Sequence, residues 1–353
     1  MKLLFIISSL SSGGAERVMS ILANKFVETR EVVIVTMAKT DSFYPLHKNI
    51  KHIKLDLLKN SNNIFQSAMN NLYRIKAFVK MFKIENPDVI ISFMTHTNIL
   101  AIIASKIARK KIIISERIAY DYYGSKILNI IRRFVYPFSD AFITQTYADL
   151  KNYSFLKHSY VIYNPIETES FDTNIKKQNI VLGVGRLDKQ KGFDNLIKAY
   201  SKLNTNWKLY IAGEGNERKN LEKLIKNFNL EEKVILLGKR KDIFEWYKKA
   251  SIFVLSSKKE GFPNVLIEAM AFGCAVVSFD CPYGPNEIIE NGVNGILVEN
   301  QNIEKLAFSI QKLIDDENLR KKLSKEAMKV REKYSIERIV NKWENIIKKV
   351  VNE

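Results

Sequence analysis

Cysteine is very rare in this sequence of 353 residues, and its rarity excludes whole classes of protein. Only Cys274 and Cys281 are present, which is too few for a disulfide framework, and they lack the paired spacing of a zinc site. The sequence also has no Asp-x-Asp motif of the kind that holds a divalent cation beside a diphosphate. We therefore expect a cytoplasmic protein that needs no metal.

Long apolar runs are absent as well. No segment reaches the roughly 18 uninterrupted apolar residues of a membrane-spanning helix, so we expect any membrane contact to be peripheral. The N-terminal stretch KLLFIISSL, residues 2–10, resembles the start of a signal peptide, but it is short and leads into SSGGAER without a small-residue cleavage site. A buried first strand explains it better.

What is present is an ordinary globular composition with an excess of positive charge. Hydrophobic residues make up 46% and charged residues 27%, and the length predicts two domains of roughly 150–200 residues each. The net charge of +18 is uneven, because residues 1–165 carry 23 Lys and Arg against 11 Asp and Glu, whereas residues 166–353 carry 33 against 27. A basic N-terminal half favours an anionic partner, either nucleic acid, a phosphorylated substrate or a membrane surface.

Short apolar runs alternate with longer helical patterns along the chain, which predicts βαβ units and parallel sheets. The pattern breaks at the polar residues 167–178 and then restarts. We therefore predict an α/β fold with two tandem doubly wound domains, 1–166 and 179–335, a linker at 167–178, and a C-terminal helix at 336–353 that could pack back across the domains. Strands are expected at residues 2–8, 31–37, 88–94, 111–116, 141–146, 160–164, 179–185, 208–214, 233–239, 251–257, 275–280 and 295–300.

The loop at residues 11–17 has the composition of an anion site. Gly13 and Gly14 lie between the first predicted strand and a helix, where bare backbone N–H groups and the helix dipole can bind an anion. The loop matches neither the G-x-G-x-x-G pattern of dinucleotide sites nor a Walker motif. A simple tight turn is the alternative interpretation.

A second candidate loop follows the strand that ends at Gly185. Arg186 and Lys191 lie five residues apart there, and a guanidinium with an ammonium group can neutralise a diphosphate that water no longer solvates. Two solvated loop cations are the alternative. The backbones around Gly215 and Lys239 follow later strands at the same edge and could line a nucleotide pocket.

Two glutamates eight residues apart flank an apolar run in the stretch EGFPNVLIEAM, which begins at Glu260. Pro263 is placed to begin a helix, and Glu268 lies inside that helix. A carboxylate before the helix can accept sugar hydroxyls, and one further along can reach a ribose, because vicinal hydroxyls suit bidentate acceptors. The alternative is an ordinary strand-loop-helix with a solvated first glutamate.

Taken in order, these motifs resemble the retaining family 4 glycosyltransferases of the two-domain GT-B fold. The resemblance covers nearly the whole chain and implies two Rossmann-like domains with a cleft between them. It rests on SGGAER (12–17), VGRLDKQKG (184–192), IAGEG (211–215), EGFPNVLIE (260–268) and the segment 271–298. SFMTHTN (92–98), ISER (114–117), YPFSDAF (136–142) and GPNEII (284–289) are similar to bacterial enzymes that add hexoses or N-acetylhexosamines to lipid-linked oligosaccharides, capsule, O-antigen or lipooligosaccharide.

The resemblance assigns roles to particular residues. It implies that Arg186 and Lys191 hold the donor diphosphate, that Glu260 contacts donor-sugar hydroxyls and that Glu268 contacts the nucleotide ribose. The glycine loop would close over the diphosphate, and four backbone segments would lie near the sugar and phosphates, those of Phe262, Pro263, Asn264 and Val265.

One position departs from the family pattern. Many relatives carry a histidine after the fourth strand of the first domain, close to the reacting sugar, and here that position is Arg117. Arg117 therefore counts as a candidate catalytic residue whose role is in doubt. His96 is a possible substitute, although a lone histidine after a strand is more often packed or solvated.

The resemblance implies transfer of a hexose or N-acetylhexosamine, with retention, from UDP-GalNAc, UDP-Gal, UDP-Glc or UDP-GlcNAc to a saccharide acceptor. Two cationic side chains would replace a metal, so no cofactor is expected. One alternative is a UDP-sugar epimerase or hydrolase on the same fold. The other is a basic nucleic-acid-binding protein, but the sequence has no RNP-like aromatic pattern, zinc-finger spacing or helix-turn-helix signature, and we expect no nucleic-acid partner.

The basic first domain is expected to receive the acceptor, which could be linked to polyprenyl diphosphate or lipid A. Residues 71–83 place Leu72, Ile75, Val79 and Phe82 on one helical stripe, and residues 125–138 add Arg132 and Arg133 beside apolar neighbours. Such surfaces could rest on the anionic inner face of the plasma membrane. Core-facing stripes with merely solvated charges are the alternative.

Overall fold

The computed structural model describes residues 1–58, 62–167 and 176–352. The chain divides into two compact units, the first formed by Met1–Pro165 with Ile336–Glu353 and the second by Ile166–Ser335. Most of the predicted linker, residues 168–175, lies outside the described residues, so the predicted domain limits stay a prediction. No helix in the described ranges is long and apolar enough to cross a membrane.

Thirteen strands form two parallel sheets in the described residues. Twelve of them lie within three residues of the predicted strands at either end. Their bounds are β1 Lys2–Ile7, β2 Glu31–Thr36, β3 Lys51–Lys54, β4 Val89–Phe93, β5 Lys111–Ser115, β6 Ala141–Thr144, β7 Ser159–Val161, β8 Gln178–Val184, β9 Lys208–Ala212, β10 Val234–Gly238, β11 Ala250–Leu255, β12 Ala275–Asp280 and β13 Ile296–Glu299.

Helices fill the connections between strands. They are α1 Gly14–Phe26, α2 Ile64–Glu85, α3 Thr95–Ala108, α4 Lys126–Val135, α5 Tyr147–Leu150, α6 Phe193–Tyr200, α7 Arg218–Asn227, α8 Ile243–Lys249, α9 Asn264–Ala271, α10 Pro285–Ile288, α11 Ile303–Asp315, α12 Glu317–Ala327, α13 Val330–Lys333 and α14 Ile336–Asn352.

Both sheets have the same doubly wound order. The first reads β3-β2-β1-β4-β5-β6-β7 and the second β10-β9-β8-β11-β12-β13. In each sheet the strand order reverses beside the first strand, between β1 and β4 and between β8 and β11. Ligands of such sheets bind at this reversal, outside the carboxyl ends of the strands. The expectation of two Rossmann-like α/β sheets is confirmed.

The sequence interpretation missed strand β3. This strand is only four residues long, Lys-His-Ile-Lys, and it pairs with β2 at the edge of the first sheet. An edge strand faces water along one side and needs no apolar run, so its signal is weak compared with that of the buried central strands.

The last helix, α14, completes the core of the first unit. Trp343 is fully buried there and stacks on Phe93 of β4 with ring centroids 6.0 Å apart. Ile339 and Ile347 join the same cluster with α1 and the face of the sheet that α1 covers. The end of the chain therefore belongs to the unit in which the chain begins.

The predicted apolar stripes of helices α2 and α4 differ in how they are buried. The α2 stripe is divided, because Phe82 is buried whereas Leu72 is exposed. In α4 the expectation of Arg132 as a surface charge is wrong. Its guanidinium is buried and donates to the Tyr153 hydroxyl at 2.8 Å and to the Tyr120 carbonyl at 2.7 Å. The apolar side chains Ile127 and Phe134 of the same helix are exposed, whereas Leu128 is buried.

We predict that Trp343→Ala destabilises the first unit by about 3–5 kcal/mol, since it removes a fully buried indole and leaves a cavity between α14 and β4. Denaturant unfolding followed by circular dichroism measures the change. Val351→Ala, at an exposed position of the same helix, should stay within about 0.5 kcal/mol of wild type. Equal effects of the two substitutions would contradict the packing role of α14.

Candidate functional site

The reversal of strand order in the second sheet gathers most of the predicted site residues. Gly185 and Arg186 follow β8, and Glu260 lies in the loop between β11 and α9. Because β8 and β11 are parallel neighbours, their carboxyl ends meet at one edge. Residues that are about 75 positions apart in the sequence therefore reach the same place.

Lys191 and Glu260 form a direct ion pair. The Lys191 Nζ atom lies 2.6 Å from Glu260 Oε1, and both side chains are largely shielded from water. Ser257 donates its hydroxyl to the same oxygen at 2.6 Å. Two donors thus fix Oε1, and within the described residues Oε2 accepts no hydrogen bond, so this oxygen is the one available to a ligand hydroxyl.

The loop that carries Lys191 is held against the end of β11. Ser256 donates its hydroxyl to the Lys191 carbonyl at 2.9 Å, and the Lys258 N–H donates to the Gln190 carbonyl at 2.8 Å. Gly192 has a φ of +63°, and a Cβ there would lie 2.2 Å from the Ser256 carbonyl oxygen. Only glycine allows this close approach, which sets the position from which the Lys191 side chain reaches Glu260.

Arg186 stands apart from this pair. Its side chain is 66% exposed and lies 3.2 Å from Asp188 of the same loop. A partly solvated guanidinium is free to turn, so the structure leaves Arg186 beside the site without a fixed contact to Glu260. Lys239 lies further away along the sheet edge, after the edge strand β10, with β9 between it and β8.

The glycines of the site bring loops close together. The Lys191 side chain passes over Gly185, where a Cβ would lie 3.2 Å from Lys191 Cδ. At Gly215 a Cβ would lie 2.3 Å from the Leu187 carbonyl oxygen, and the Leu187 N–H donates to Glu214. The loops after β8 and β9 therefore pack backbone to backbone, as expected of a pocket lined by main chain.

Helix α9 begins where the sequence predicted, directly after Pro263. Phe262 is buried and packs edge-on against Tyr334, with centroids 6.0 Å apart. In the first turn the Asn264 N–H donates to the Phe262 carbonyl, whereas the Val265 N–H finds no acceptor among the described residues. The helix start thus offers one free backbone donor close in sequence to Glu260.

Glu268 is buried inside α9, about one turn from its start. Its Oε2 accepts a hydrogen bond of 3.1 Å from the hydroxyl of Tyr247, which is itself fully buried. The loop after β12 also borders the site, because the Glu260 N–H donates to the Pro282 carbonyl of that loop at 3.3 Å. The two glutamates are therefore held by different neighbours, as expected for two different roles.

The predicted anion loop of the first unit already carries a carboxylate. Gly13 caps α1 and Gly14 begins it, and the Glu16 carboxylate folds back over the helix start, with Oε2 2.1 Å from where a Gly13 Cβ would lie. Ser11 donates its hydroxyl to Glu16 Oε1 at 3.3 Å. Burial raises the pKa of Glu16. An acidic side chain in the first turn complements the helix dipole, as a bound anion would.

Arg117 is buried at the carboxyl end of β5. Its guanidinium stacks over the Phe93 ring at 4.4 Å and the Trp343 ring at 5.5 Å, and Nη1 donates to Asn164 Oδ1 at 2.8 Å. Nε and Nη2 have no acceptor among the described residues. Burial lowers the pKa of Arg117 to about 9, so it remains a cation at neutral pH. His96 lies exposed, edge-on to Tyr123.

Glu116 points to the opposite side of the same strand end. Its carboxylate accepts hydrogen bonds from the Tyr136 hydroxyl and, at 2.9 Å, from the Thr95 hydroxyl. Burial raises the pKa of Glu116 to about 7. Neighbouring residues 116 and 117 therefore place an acid and a base on opposite faces of the sheet, each away from water.

Sequence reasoning missed three residues that hold the candidate site. Ser257 could have been found, because it stands only three residues before Glu260 in the same loop, close enough for the two side chains to meet. Tyr247 and Asn164 gave no signal, since their contacts with Glu268 and Arg117 depend on the packing of distant elements. No group of three or more His, Cys, Asp or Glu suited to a metal ion occurs in the described part of the chain.

Two family models match the chain. The model described as "Glycosyl transferases group 1" matches residues 165–330, nearly the whole second unit. The model described as "Glycosyltransferase family 28 N-terminal domain" matches residues 17–137 in the first unit.

Two curated relatives match along almost their entire length. The chain is 34% identical to the GalNAc-alpha-(1->4)-GalNAc-alpha-(1->3)-diNAcBac-PP-undecaprenol alpha-1,4-N-acetyl-D-galactosaminyltransferase of Campylobacter jejuni subsp. jejuni serotype O:2, over 100% of this chain and 99% of the relative. It is 32% identical to the N-acetylgalactosamine-N,N'-diacetylbacillosaminyl-diphospho-undecaprenol 4-alpha-N-acetylgalactosaminyltransferase of the same organism, over 91% of this chain and 92% of the relative.

Among solved structures, Anabaena Alr3699/HepE in complex with UDP aligns with a TM-score of 0.82 and 20% sequence identity, over 99% of this chain and 100% of that chain. This likeness shows the fold, and the predicted GT-B class is confirmed.

We predict that Glu116→Gln makes the protein less sensitive to rising pH. The folded pKa of about 7 exceeds the ordinary 4.5, so wild type loses stability as the pH rises through this window, where burial opposes ionisation. Relative to wild type, the variant should gain up to about 3 kcal/mol of unfolding free energy between pH 4.5 and 7. Urea unfolding at several pH values measures the difference. A difference that stays constant with pH would contradict the buried titration.

Proposed function

Because this chain belongs to the glycosyltransferases, we propose that it is a retaining transferase that moves an N-acetylhexosamine or hexose from a UDP-sugar to a lipid-linked saccharide. The product would serve bacterial surface-glycan or lipid-linked oligosaccharide synthesis. The observation that carries this proposal is the Lys191–Glu260 pair at the strand reversal of the second sheet, with Glu268 in the helix that follows.

The donor diphosphate is assigned to the two cations of the β8–α6 loop. Lys191 already lies close to the end of β8, and the exposed Arg186 has room to turn towards the same oxygens. As the glycosidic bond breaks, negative charge develops on the departing diphosphate. Fixed cations and backbone N–H groups in a dry site stabilise that charge, which lowers the barrier.

The two glutamates would bind different parts of the donor, the sugar and the ribose. Glu260 would accept hydroxyls of the sugar through Oε2, since Lys191 and Ser257 already engage Oε1. Glu268 would accept the ribose hydroxyls, with Tyr247 fixing its carboxylate. Backbone groups of the α9 start, including the Val265 N–H, would lie near the sugar and phosphates.

Retention is assigned to attack on the face from which the diphosphate departs. In this scheme the acceptor hydroxyl gives its proton to a departing phosphate oxygen and forms the new glycosidic bond. Glu260 is poorly suited to act as a covalent nucleophile, because one of its oxygens already accepts two hydrogen bonds. The glycine loop would close over the diphosphate. Arg117 would lie near the reacting sugar.

The names of the two relatives favour particular substrates. Both are N-acetylgalactosaminyltransferases named for acceptors on undecaprenyl carriers. UDP-N-acetylgalactosamine is therefore the first of the four candidate donors to test, and a polyprenyl-diphosphate-linked saccharide is the first acceptor. An acceptor of this kind resides in a membrane, so the enzyme would work at the cytoplasmic face as a peripheral protein. Two cations in place of a metal make the proposed reaction independent of divalent ions.

The proposal predicts one pattern in a donor screen. UDP-N-acetylgalactosamine should raise the melting temperature more than GDP- or ADP-sugars do. UDP release should depend on a lipid-diphosphate acceptor extract and persist with EDTA. Differential scanning fluorimetry and a coupled UDP assay measure both. Turnover without acceptor would instead indicate an epimerase or hydrolase, and an absence of response to every nucleotide sugar would exclude the proposal.

The site assignments predict different losses for different substitutions. Lys191→Ala and Arg186→Ala should each lower turnover at least about a hundredfold, because a cation that stabilises the charge of the transition state is worth several kcal/mol. Glu260→Ala should mainly lower kcat, whereas Glu268→Ala should mainly raise the KM for the donor. Steady-state kinetics with the donor varied separates the two effects.

Lys189→Ala is the matched control for the two cation variants, because Lys189 is exposed in the same loop and its replacement by alanine also removes one positive charge. It should retain near wild-type turnover. If Lys191→Ala and Arg186→Ala kept normal turnover as well, the diphosphate assignment would be wrong. Melting temperatures of all the variants separate a loss of chemistry from a loss of folding.

A further inference from the structure

Lys177 lies directly before β8, in the segment that the sequence predicted as a linker. Its ammonium group is partly buried and donates to three backbone carbonyls, to Tyr247 at 2.9 Å, to Ala250 at 2.9 Å and to Phe272 at 2.7 Å. An ammonium group has three N–H donors, so these three acceptors engage all of them. Lys177 is therefore a fixed part of the second unit and not a solvated linker charge.

The three carbonyls lie at the carboxyl ends of two short helices. Tyr247 is in the last turn of α8, Ala250 caps that helix, and Phe272 caps α9. The last carbonyls of a helix have no partner within the helix and carry the negative end of its dipole, so a cation stabilises them. Helices of seven and eight residues are marginal by themselves, and one ammonium group joins the ends of both.

The end of α9 is connected to Glu268 through the main chain. The Phe272 N–H donates to the Glu268 carbonyl at 3.0 Å, and the Phe272 carbonyl accepts from Lys177. Lys177 therefore holds the last turn of α9, which begins at Glu268. A displacement of this turn would move Glu268 with it.

The end of α8 is connected to the same glutamate through a side chain. Lys177 donates to the Tyr247 carbonyl, and the Tyr247 hydroxyl donates to Glu268 Oε2 at 3.1 Å. The rings of Tyr247 and Phe272 also stack, with centroids 5.9 Å apart and planes 15° apart. The four residues thus form a closed network in which Lys177 supports both the backbone and the carboxylate of Glu268.

We propose that Lys177 is a positioning residue for the nucleotide of the donor and that it acts through Glu268. The seven residues of β8, roughly 23 Å of strand, separate Lys177 from the sheet edge that carries Lys191. Its effect reaches the site through α8 and α9, which hold the Glu268 carboxylate ready for two ribose hydroxyls. This inference rests on the proposed function, because the ribose is assigned to Glu268 there.

Calorimetric titration with UDP tests the assignment. Lys177→Met keeps the length of the side chain and removes the ammonium group, so it should weaken UDP binding about tenfold, roughly the effect of one lost hydrogen bond to a charged group. The KM for the donor should rise by a similar factor, while kcat stays within about twofold because the Lys191–Glu260 pair is unchanged. Wild-type affinity for UDP in Lys177→Met would overturn the assignment.

Two control variants separate positioning from charge and from stability. Lys176→Met removes the same charge from an exposed neighbour and should bind UDP as wild type does. Ile225→Ala leaves a cavity in α7, in a core cluster that contains none of the described residues of α8 or α9. It should lower the melting temperature without weakening UDP binding. If Ile225→Ala lost as much affinity as Lys177→Met, Lys177 would act on stability alone and the inference would be wrong.

A double-mutant cycle tests the route through Glu268. In a Glu268→Ala background, Lys177→Met should weaken UDP binding no further, because the carboxylate that it positions is already gone. A further loss as large as that in wild type would mean that Lys177 acts by another route. The assignment to Glu268 would then be excluded.

Hydrogen exchange separates a failure of this inference from a failure of the proposed function. Lys177→Met should speed amide exchange at the ends of α8 and α9, and Lys176→Met should not. If wild type bound no UDP, the proposed function would be wrong, and exchange at these helix ends would decide whether Lys177 holds them. If wild type bound UDP and Lys177→Met changed neither exchange nor affinity, only this inference would fail.

Discussion

The contact of 2.6 Å between Lys191 and Glu260 depends on the topology of the second sheet and makes the candidate site possible. The parallel neighbours β8 and β11 bring the loops that follow them to one edge, where a cation from one loop meets a carboxylate from the other. Each charge reduces the cost of shielding its partner from water. A ligand that brings phosphates to Lys191 and hydroxyls to Glu260 would find both groups already placed.

In the first unit the buried Glu85 pairs with Lys2 at 3.0 Å and with Lys51 at 2.7 Å, but Arg117 and Glu116 at the end of β5 form no ion pair among the described residues. Arg117 is shielded from water by two aromatic rings and one amide oxygen, and the neighbouring Glu116 faces hydroxyls on the other side of the sheet. Burial raises the pKa of Glu116 and lowers the pKa of Arg117, and both shifts favour the neutral form. The contacts of the two groups offset only part of the cost of removing them from water. Buried groups whose charge is only partly compensated reduce the stability of the fold, and groups of this kind are concentrated at functional sites.

The sequence predicted the parts of the fold that burial determines. Twelve strands were found because parallel strands in a covered sheet are continuous apolar runs, and the start of α9 was found because Pro263 marks it. The edge strand β3 escaped because water, rather than the core, covers one side of it. Ser257 lay within reach of a spacing argument, but the pairing of Tyr247 with Glu268 required knowing how α8 packs, and no local pattern encodes that.

Helix α4 shows why amphipathic periodicity alone does not decide which face is inside. The apolar side of the helix is an equally good candidate for a core and for an external apolar surface, and the pattern is the same in both cases. Here the polar partners decide, because Tyr153 and Tyr120 offer Arg132 two acceptors inside the unit that Ile127 or Phe134 could not use. Exposure of the apolar face is thus a consequence of satisfying one buried guanidinium.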